Sequence, residues 1–296
     1  LFEQDDVYTD ADSDATTLMN FAGNHDMGRI GMFIQNGNPG AGEDELLARA
    51  KLANAFMFFA RGIPVIYYGD EQGFTGDGGD QDARENMFPS QVDIYNDNDL
   101  IGTDATTAID NFDTTHPLYQ AFGQYAELYK QHYALRHGVQ AERYAEDGGL
   151  YAFSRFDLED PVEYLAVFNN DEVARDITLA ATSKKYRYLA GGYGKVKAED
   201  GNISLTVPAL DFVILKAKKA MDTAPVSSFS ITGLEEGQVV AGRVGLDLSV
   251  DELEGQAIAG YQAQFELSVN GGEFAPMATD NTAPYRLFWD TSAYED

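Results

Sequence analysis

Two short apolar runs, each opening into a polar mouth and separated by a helical pattern, constrain this chain more than any other feature. Thr16–Ala22 (TTLMNFA) reads as a buried strand that runs straight into Gly23-Asn24-His25-Asp26. Ile63–Tyr68 (IPVIYY) reads as a second, closed by Gly69. Between them, Leu46, Ala50, Ala53, Met57 and Ala60 recur at alternating steps of four and three, which places one apolar face along a helix. Glu43, Asp44 and Glu45 occupy its first turn, where the helix dipole favours negative charge, and Gly62 and Pro64 end it. A long loop rich in Gly, Asp and Asn follows, from Asp70 to the region of Asp113; loops of that length in compact domains are usually functional. His116-Pro117 opens another amphipathic helix, running to Arg136, with Leu118, Phe122, Tyr125, Leu128, Tyr129 and Tyr133 on its inner side. Strand, helix, strand, helix with near-continuous apolar strands is the pattern of parallel α/β structure.

Past Gly138 the period changes. Leu150–Asp157, Glu163–Asn170 and Lys185–Ala190 mix apolar and polar residues at roughly period two, while Asp211–Lys216 is a continuous apolar run. Turn clusters at 147–149, 169–171 and 199–202 separate them, which predicts an antiparallel β-sandwich. Lys216–Ser227 has linker composition. A further β module is expected beyond it, with strands over Val239–Val250, Gln262–Val269 and Tyr285–Trp289 and a hairpin at Asn270-Gly271-Gly272. Tyr144, Tyr151, Phe153 and Tyr164 fall in or beside strands and read as sandwich core rather than as a ligand-stacking platform.

Composition removes several function classes. Forty-nine acidic against 20 basic residues give a net charge of −29, which repels phosphate backbones and anionic lipid, so no nucleic-acid partner is expected. Absence of cysteine excludes disulfides, thiolate metal sites and a cysteine nucleophile. No apolar run reaches the roughly 20 residues of a membrane span. His132 and His137 are off the spacing that shares a helix face, and Asp77, Asp80 and Asp82 lack a calcium-loop pattern. No metal site is therefore expected.

Chemistry concentrates at the two strand mouths. An imidazole and a carboxylate, His25 and Asp26, stand where parallel barrels place active sites, though Asn, His and Asp also simply begin loops. Asp70-Glu71 suggests an acid–nucleophile pair, but sequence neighbours diverge in direction. Retaining glycosidases need two carboxyls about 5–5.5 Å apart facing one bond. A structural hydrogen-bonding role suits Asp70-Glu71 better.

FAGNHD at 21–26 followed by GIPVIYYGDEQG at 62–73 resembles, in order and spacing, two sequence blocks of the alpha-amylase superfamily (glycoside hydrolase family 13). The resemblance implies a multidomain chain. Residues 1–137 would be the C-terminal part of a (β/α)8 TIM barrel (strands seven and eight with their helices), and 138–219 the family's antiparallel β-sandwich domain. Residues 220–228 would be a linker, and 229–296 part of a bacterial immunoglobulin-like β-sandwich, a match carried by DNTAPYRLFWDTS. Asp26 matches the family's third catalytic carboxylate, which binds sugar hydroxyls beside the scissile bond; His25 matches the histidine that binds the same sugar. Asn24 would hold the turn, and Arg29 resembles a structural, ion-pairing arginine. Asp80 and Arg84 resemble an Asp/Arg pair that contacts the sugar further along. The family nucleophile (an Asp after strand four) and acid/base (a Glu after strand five) are not in this chain, which is expected to be an inactive piece of a longer enzyme. That enzyme would be a secreted bacterial monomer, extracellular or periplasmic, acting with retention on α-1,4-glucans. No cofactor is expected here, and a calcium requirement stays open for the complete enzyme. A pullulanase, cyclodextrin hydrolase or transglycosylase of the same superfamily is the sibling reading. A non-catalytic glucan-binding or adhesion protein on an abandoned barrel is the reading from a different class.

Overall fold

The computed structural model describes residues 15–76, 78–221, 226–253, 258, 260–281 and 283–294. The acidic opening segment and residues 222–225 of the expected linker lie outside them. Strands β1 (Met19–Asn20) and β2 (Ile63–Pro64) pair in parallel, Met19 opposite Ile63 and Asn20 opposite Pro64. Ile63 N donates to Leu18 O and Val65 N to Asn20 O, both at 2.8 Å, so the hydrogen bonding outruns the two-residue strands. Both apolar runs are shorter as strands than the sequence predicts, and they are not buried. Met19 is 68% exposed, and Leu18, Phe21, Ile63, Val65, Ile66 and Tyr68 also face solvent. A parallel strand is buried only when neighbouring strands and covering layers close both its faces. Among the described residues β1 and β2 form a two-stranded sheet and no barrel closes.

Helix α1 (Ile30–Gly37) follows the first mouth, an element the apolar periodicity does not announce. Glycine at 31 lets it sit against the 70–113 loop, since a Cβ there would lie 2.6 Å from Phe74 O. Helix α2 (Glu43–Phe59) carries its three acids in the first turn. Its buried set is broader than one face, adding Leu52, Ala55, Phe58 and Phe59 to Ala50 and Met57. The reason is its position, packed between a later helix on one side and a β-sheet on the other. After the short helix α3 (Asp93–Asn96) come α4 (Pro117–Gln131) and α5 (Tyr133–His137). The single helix predicted to Arg136 breaks at His132, whose backbone is extended (φ −119°, ψ 108°). Tyr133 lies beyond the break and is exposed rather than on the inner face.

The β elements then run in order: β3 (Val139–Ala145), β4 (Leu150–Phe156), β5 (Tyr164–Asn169), β6 (Arg175–Ala180), β7 (Lys185–Ala190), β8 (Lys195–Lys197), β9 (Asn202–Val207) and β10 (Asp211–Ala217). Six form one antiparallel sheet in the order β3-β4-β5-β10-β7-β8, and β6 pairs with β9. The large sheet is covered on both faces. Phe153, Ala166, Phe168, Phe212 and Ile214 pack against Ala55, Phe58 and Phe59 of α2 and against α4, while Leu165, Val167, Val213 and Leu215 pack against Ile177, Leu179, Ile203 and Leu205 of the β6–β9 pair. That double burial explains why β10 reads as an apolar run, and why β5, expected to alternate, is instead buried along its whole length. Of the aromatics read as core, Phe153 and Tyr164 are buried, whereas Tyr144 is exposed.

Beyond the linker, β11 (Ser230–Thr232), β12 (Arg243–Ser249) and β15 (Arg286–Asp290) form a three-stranded sheet, and β13 (Ala263–Leu267) pairs with β14 (Ala275–Asp280). Leu246, Phe265, Ala278 and Leu287 meet between the two sheets. The strand read from Val239 begins only at Arg243; Val239 itself is exposed.

Candidate functional site

The turn after β1 is built by Asn24. Its Oδ1 accepts from the backbone N–H of Asp26 (2.9 Å) and of Met27 (2.8 Å). Asn24 and Gly28 also exchange backbone hydrogen bonds of 3.1 Å in both directions. Gly23 is needed for the chain to close on itself, because a Cβ would stand 2.8 Å from Gly28 O. The turn frees His25 and Asp26 from strand alternation, so both project outward, with side chains 53% and 71% exposed and 3.3 Å between His25 Nε2 and Asp26 Oδ1.

A second segment meets them. Asp80 takes a positive φ of 42°, and Arg84 folds back onto it: Nη2 lies 2.5 Å from Asp80 Oδ1, and Nε donates to Asp80 O at 3.3 Å. The same Nη2 stands 3.8 Å from Asp26 Oδ1. The four residues predicted to face substrate thus converge, although 54 positions separate Asp26 from Asp80. Tyr67 closes one flank. Its ring centroid is 6.4 Å from that of His25, and its hydroxyl donates to Ala83 O at 3.1 Å. Burial, reinforced by the Tyr68 hydroxyl, pushes the Tyr67 phenol up to about 12. It stays neutral and can act only as a hydrogen-bonding wall.

Beneath this exposed group lies a buried one. Arg29 is fully enclosed, with Nη1 donating to Tyr68 O (2.8 Å) and Asp70 Oδ1 (3.1 Å). Its Nε is 2.5 Å from Glu85 Oε2, a carboxylate that is itself fully buried. The rings of Tyr67, Tyr68 and Phe74 surround the guanidinium at 4.5, 5.2 and 5.0 Å. Glu85 Oε1 accepts from Gly76 N and Asn98 Nδ2, both at 3.2 Å. Three segments are stapled in this way: the one carrying Asp26, the one leaving β2, and the one carrying Arg84. Removing one partner of such a buried pair costs about 3–5 kcal/mol. Burial drives Asp70 up to about 7 in spite of Arg29, and drives Glu85 upward as well. Asp70 and Glu71 diverge, Asp70 to Arg29 and Glu71 back to Gly69 N at 2.9 Å.

Sequence reasoning did not single out Glu85 or Tyr67. Glu85 looks like any other acid of an acidic loop; the only hint was its place directly after Arg84. Asp77, weighed as a calcium ligand, lies outside the described residues, and Asp80 is committed to Arg84. Among the described residues no three His, Asp or Glu side chains gather closely enough to hold a metal. No helix among them is long and apolar enough to cross a membrane.

Comparison with known proteins settles the lineage. Residues 4–138 match the alpha-amylase catalytic-domain family. The chain belongs to the alpha-amylase superfamily. An alpha-amylase of Streptomyces lividans is 42% identical over 291 residues, covering 97% of this chain and 31% of the relative. A beta/alpha-amylase of Paenibacillus polymyxa is 32% identical over 169 residues, 57% of this chain and 11% of the relative. An Anoxybacillus alpha-amylase crystal structure superposes with a TM-score of 0.52 at 24% identity, over 70% of this chain and 39% of the other. That likeness bears on the fold alone. The chain therefore spans well under half the length of each of these relatives, between 11% and 39%.

Proposed function

We propose that this chain is the C-terminal region of a retaining glycosidase that hydrolyses α-1,4-glucosidic bonds in starch-like glucans. In this reading β1 and β2 are the last two strands of the catalytic barrel, the β3–β10 sheets form the following sandwich, and the β11–β15 module is part of an immunoglobulin-like domain. The observation that carries the reading is the convergence of His25, Asp26, Asp80 and Arg84 on one exposed surface.

Each has a role that its chemistry allows. Asp26 accepts hydrogen bonds from two hydroxyls of the sugar at the cleaved bond, contacts that strengthen as the ring flattens toward an oxocarbenium ion. His25 binds the same sugar. Arg84, anchored on Asp80, keeps a positive charge beside Asp26 and reaches toward the next sugar. Bond cleavage needs a carboxylate to attack the anomeric carbon and an acid to protonate the leaving oxygen; water then releases the sugar from the enzyme. Asp26 supplies neither. Those two groups belong to parts of the complete enzyme outside this chain, and the lengths of the amylase relatives accord with that. Acidity of this degree suits an exported, extracellular enzyme, with neutral polysaccharide as its substrate.

The test is Asp26→Asn in the complete enzyme. Turnover of maltooligosaccharides should fall by a factor of about a hundred or more with KM little changed, as loss of a group acting in the transition state requires. A near-normal rate would remove Asp26 from catalysis. The purified 296-residue chain should release no reducing ends; if it does, the assignment of the missing carboxylates is wrong. A complete protein that binds maltooligosaccharide without ever cleaving it would instead favour a glucan-binding protein.

A further inference from the structure

The loop from Asp70 to Asp113 has a mixed interior: Phe74, Leu100 and Ile101 are buried, and so are the polar Glu85, Ser90, Asn98, Thr107 and Asn111. The polar groups are tied by hydrogen bonds, Ser90 N to Thr107 O at 2.8 Å, Asn111 N to Met87 O at 2.9 Å, and Thr107 Oγ1 to Asn96 Oδ1 at 2.9 Å. Three large apolar side chains of the same loop stay outside that interior, with Phe88 69%, Ile109 54% and Phe112 52% exposed. The two backbone bonds lay segment 87–90 beside segment 107–111. They bring the rings of Phe88 and Phe112 to a centroid distance of 5.1 Å at an interplanar angle of 60°. Asn111 ties the base of the platform further, its Nδ2 donating to Thr106 O at 3.2 Å and to Ile109 O at 2.8 Å.

This platform belongs to the same loop as Asp80 and Arg84. Phe88 lies four residues beyond Arg84, and the Tyr95 hydroxyl donates to Gln81 O at 2.9 Å, folding α3 back against the Asp80–Arg84 turn. We propose that Phe88 and Phe112 form a stacking platform that holds a further stretch of α-glucan chain beyond the His25–Asp26 site; the inference rests on the glucan reading of that site. The C–H face of a pyranose is apolar and packs on an exposed ring. Two rings tilted by 60° cannot share one flat sugar, but they suit successive residues of an α-1,4-linked chain, which turns at every linkage. Charge points the same way. A molecule at −29 repels anionic partners, whereas a neutral polysaccharide approaches without penalty.

The experiment measures affinity of the 296-residue chain for maltose, maltoheptaose and cellohexaose by calorimetry. Maltoheptaose should bind tighter than maltose, and cellohexaose should bind no better than maltose. Phe88→Ala/Phe112→Ala should remove the advantage of the longer glucan, a loss of about tenfold, while Phe88→Trp should enlarge it. If the double variant binds maltoheptaose as the parent does, the platform is wrong and the His25–Asp26 reading stands. If no glucan binds any of these proteins, the platform falls, and the His25–Asp26 reading is decided separately by Asp26→Asn in the complete enzyme. Concentration-dependent dimerisation that the double substitution abolishes, without a change in glucan affinity, would assign the rings to protein contact and overturn the proposal.

Discussion

Arg29 faces two buried carboxylates, Asp70 and Glu85, and one cation cannot fully compensate both. Burial, which Arg29 only partly offsets, holds a proton on Asp70 up to about pH 7. An ordinary carboxylate in the unfolded chain loses its proton near pH 4, so between those values the folded state binds more protons than the unfolded one. Stability linked to Asp70 is therefore complete below that window, declines as pH rises through it, and is flat above about pH 7. A rise of this size is worth at most about 4 kcal/mol. Asp70→Asn keeps an acceptor for Arg29 Nη1 and removes the titration. Denaturant unfolding of both proteins at pH 4.5 and pH 8 should show the parent losing stability relative to the variant. Parallel profiles would mean that Asp70 is ionised throughout. Little of this cluster was legible in the sequence: the resemblance marked Arg29 as ion-pairing, but its partners lie 41 and 56 positions away, at separations no local pattern encodes.

Arg155 joins two kinds of element without any carboxylate partner. It is completely buried on β4, and donates from Nη1 to Phe59 O at 2.8 Å and from Nη2 to Gly138 O at 2.9 Å. Those carbonyls end α2 and α5, where unpaired C=O groups and the negative pole of the helix dipole coincide. Burial pulls the guanidinium down to about 9, yet it remains charged at neutral pH. Gln140 adds a second tie, its Oε1 accepting from Arg61 N at 2.7 Å just before β2. The sheet thus fixes the end of the helix that delivers β2 to its place beside β1. Arg155→Met should cost about 2–5 kcal/mol, the price of two buried carbonyls left without donors, read as a lower urea midpoint with an unchanged slope. A loss below about 1 kcal/mol would show that water replaces the guanidinium. Helix α2 was legible because seventeen residues give periodicity room to declare itself. Helix α1 was not, since eight residues span barely two turns and glycines at 31 and 37 read as turn punctuation, although Gly31 is what lets the helix pack on a loop distant in sequence.

At the scale of the molecule, charge and apolar exposure oppose each other. The β1–β2 face presents Leu18, Met19, Phe21, Ile63, Val65 and Ile66 to solvent, a strip that favours association. A net charge of −29 keeps copies apart but also strains each folded chain by self-repulsion. The charge and the apolar runs themselves were readable in composition and pattern; what the sequence did not disclose was that the runs would face outward. Salt separates the two effects. Between 0.1 M and 1 M the screening length falls from about 10 Å to about 3 Å, which relieves repulsion among 49 acids. It also weakens exposed pairs such as Arg84–Asp80 and Arg175–Glu146, which water already screens. With only 20 basic residues available to pair, repulsion is the larger effect, so the thermal midpoint at pH 7.5 should rise with sodium chloride. Near pH 4.2, where the net charge vanishes, the rise should disappear. A midpoint that climbs equally at both pH values would trace the stabilisation to salting-out of apolar surface. In that case it should also grow with protein concentration, as the β1–β2 strips of separate molecules meet.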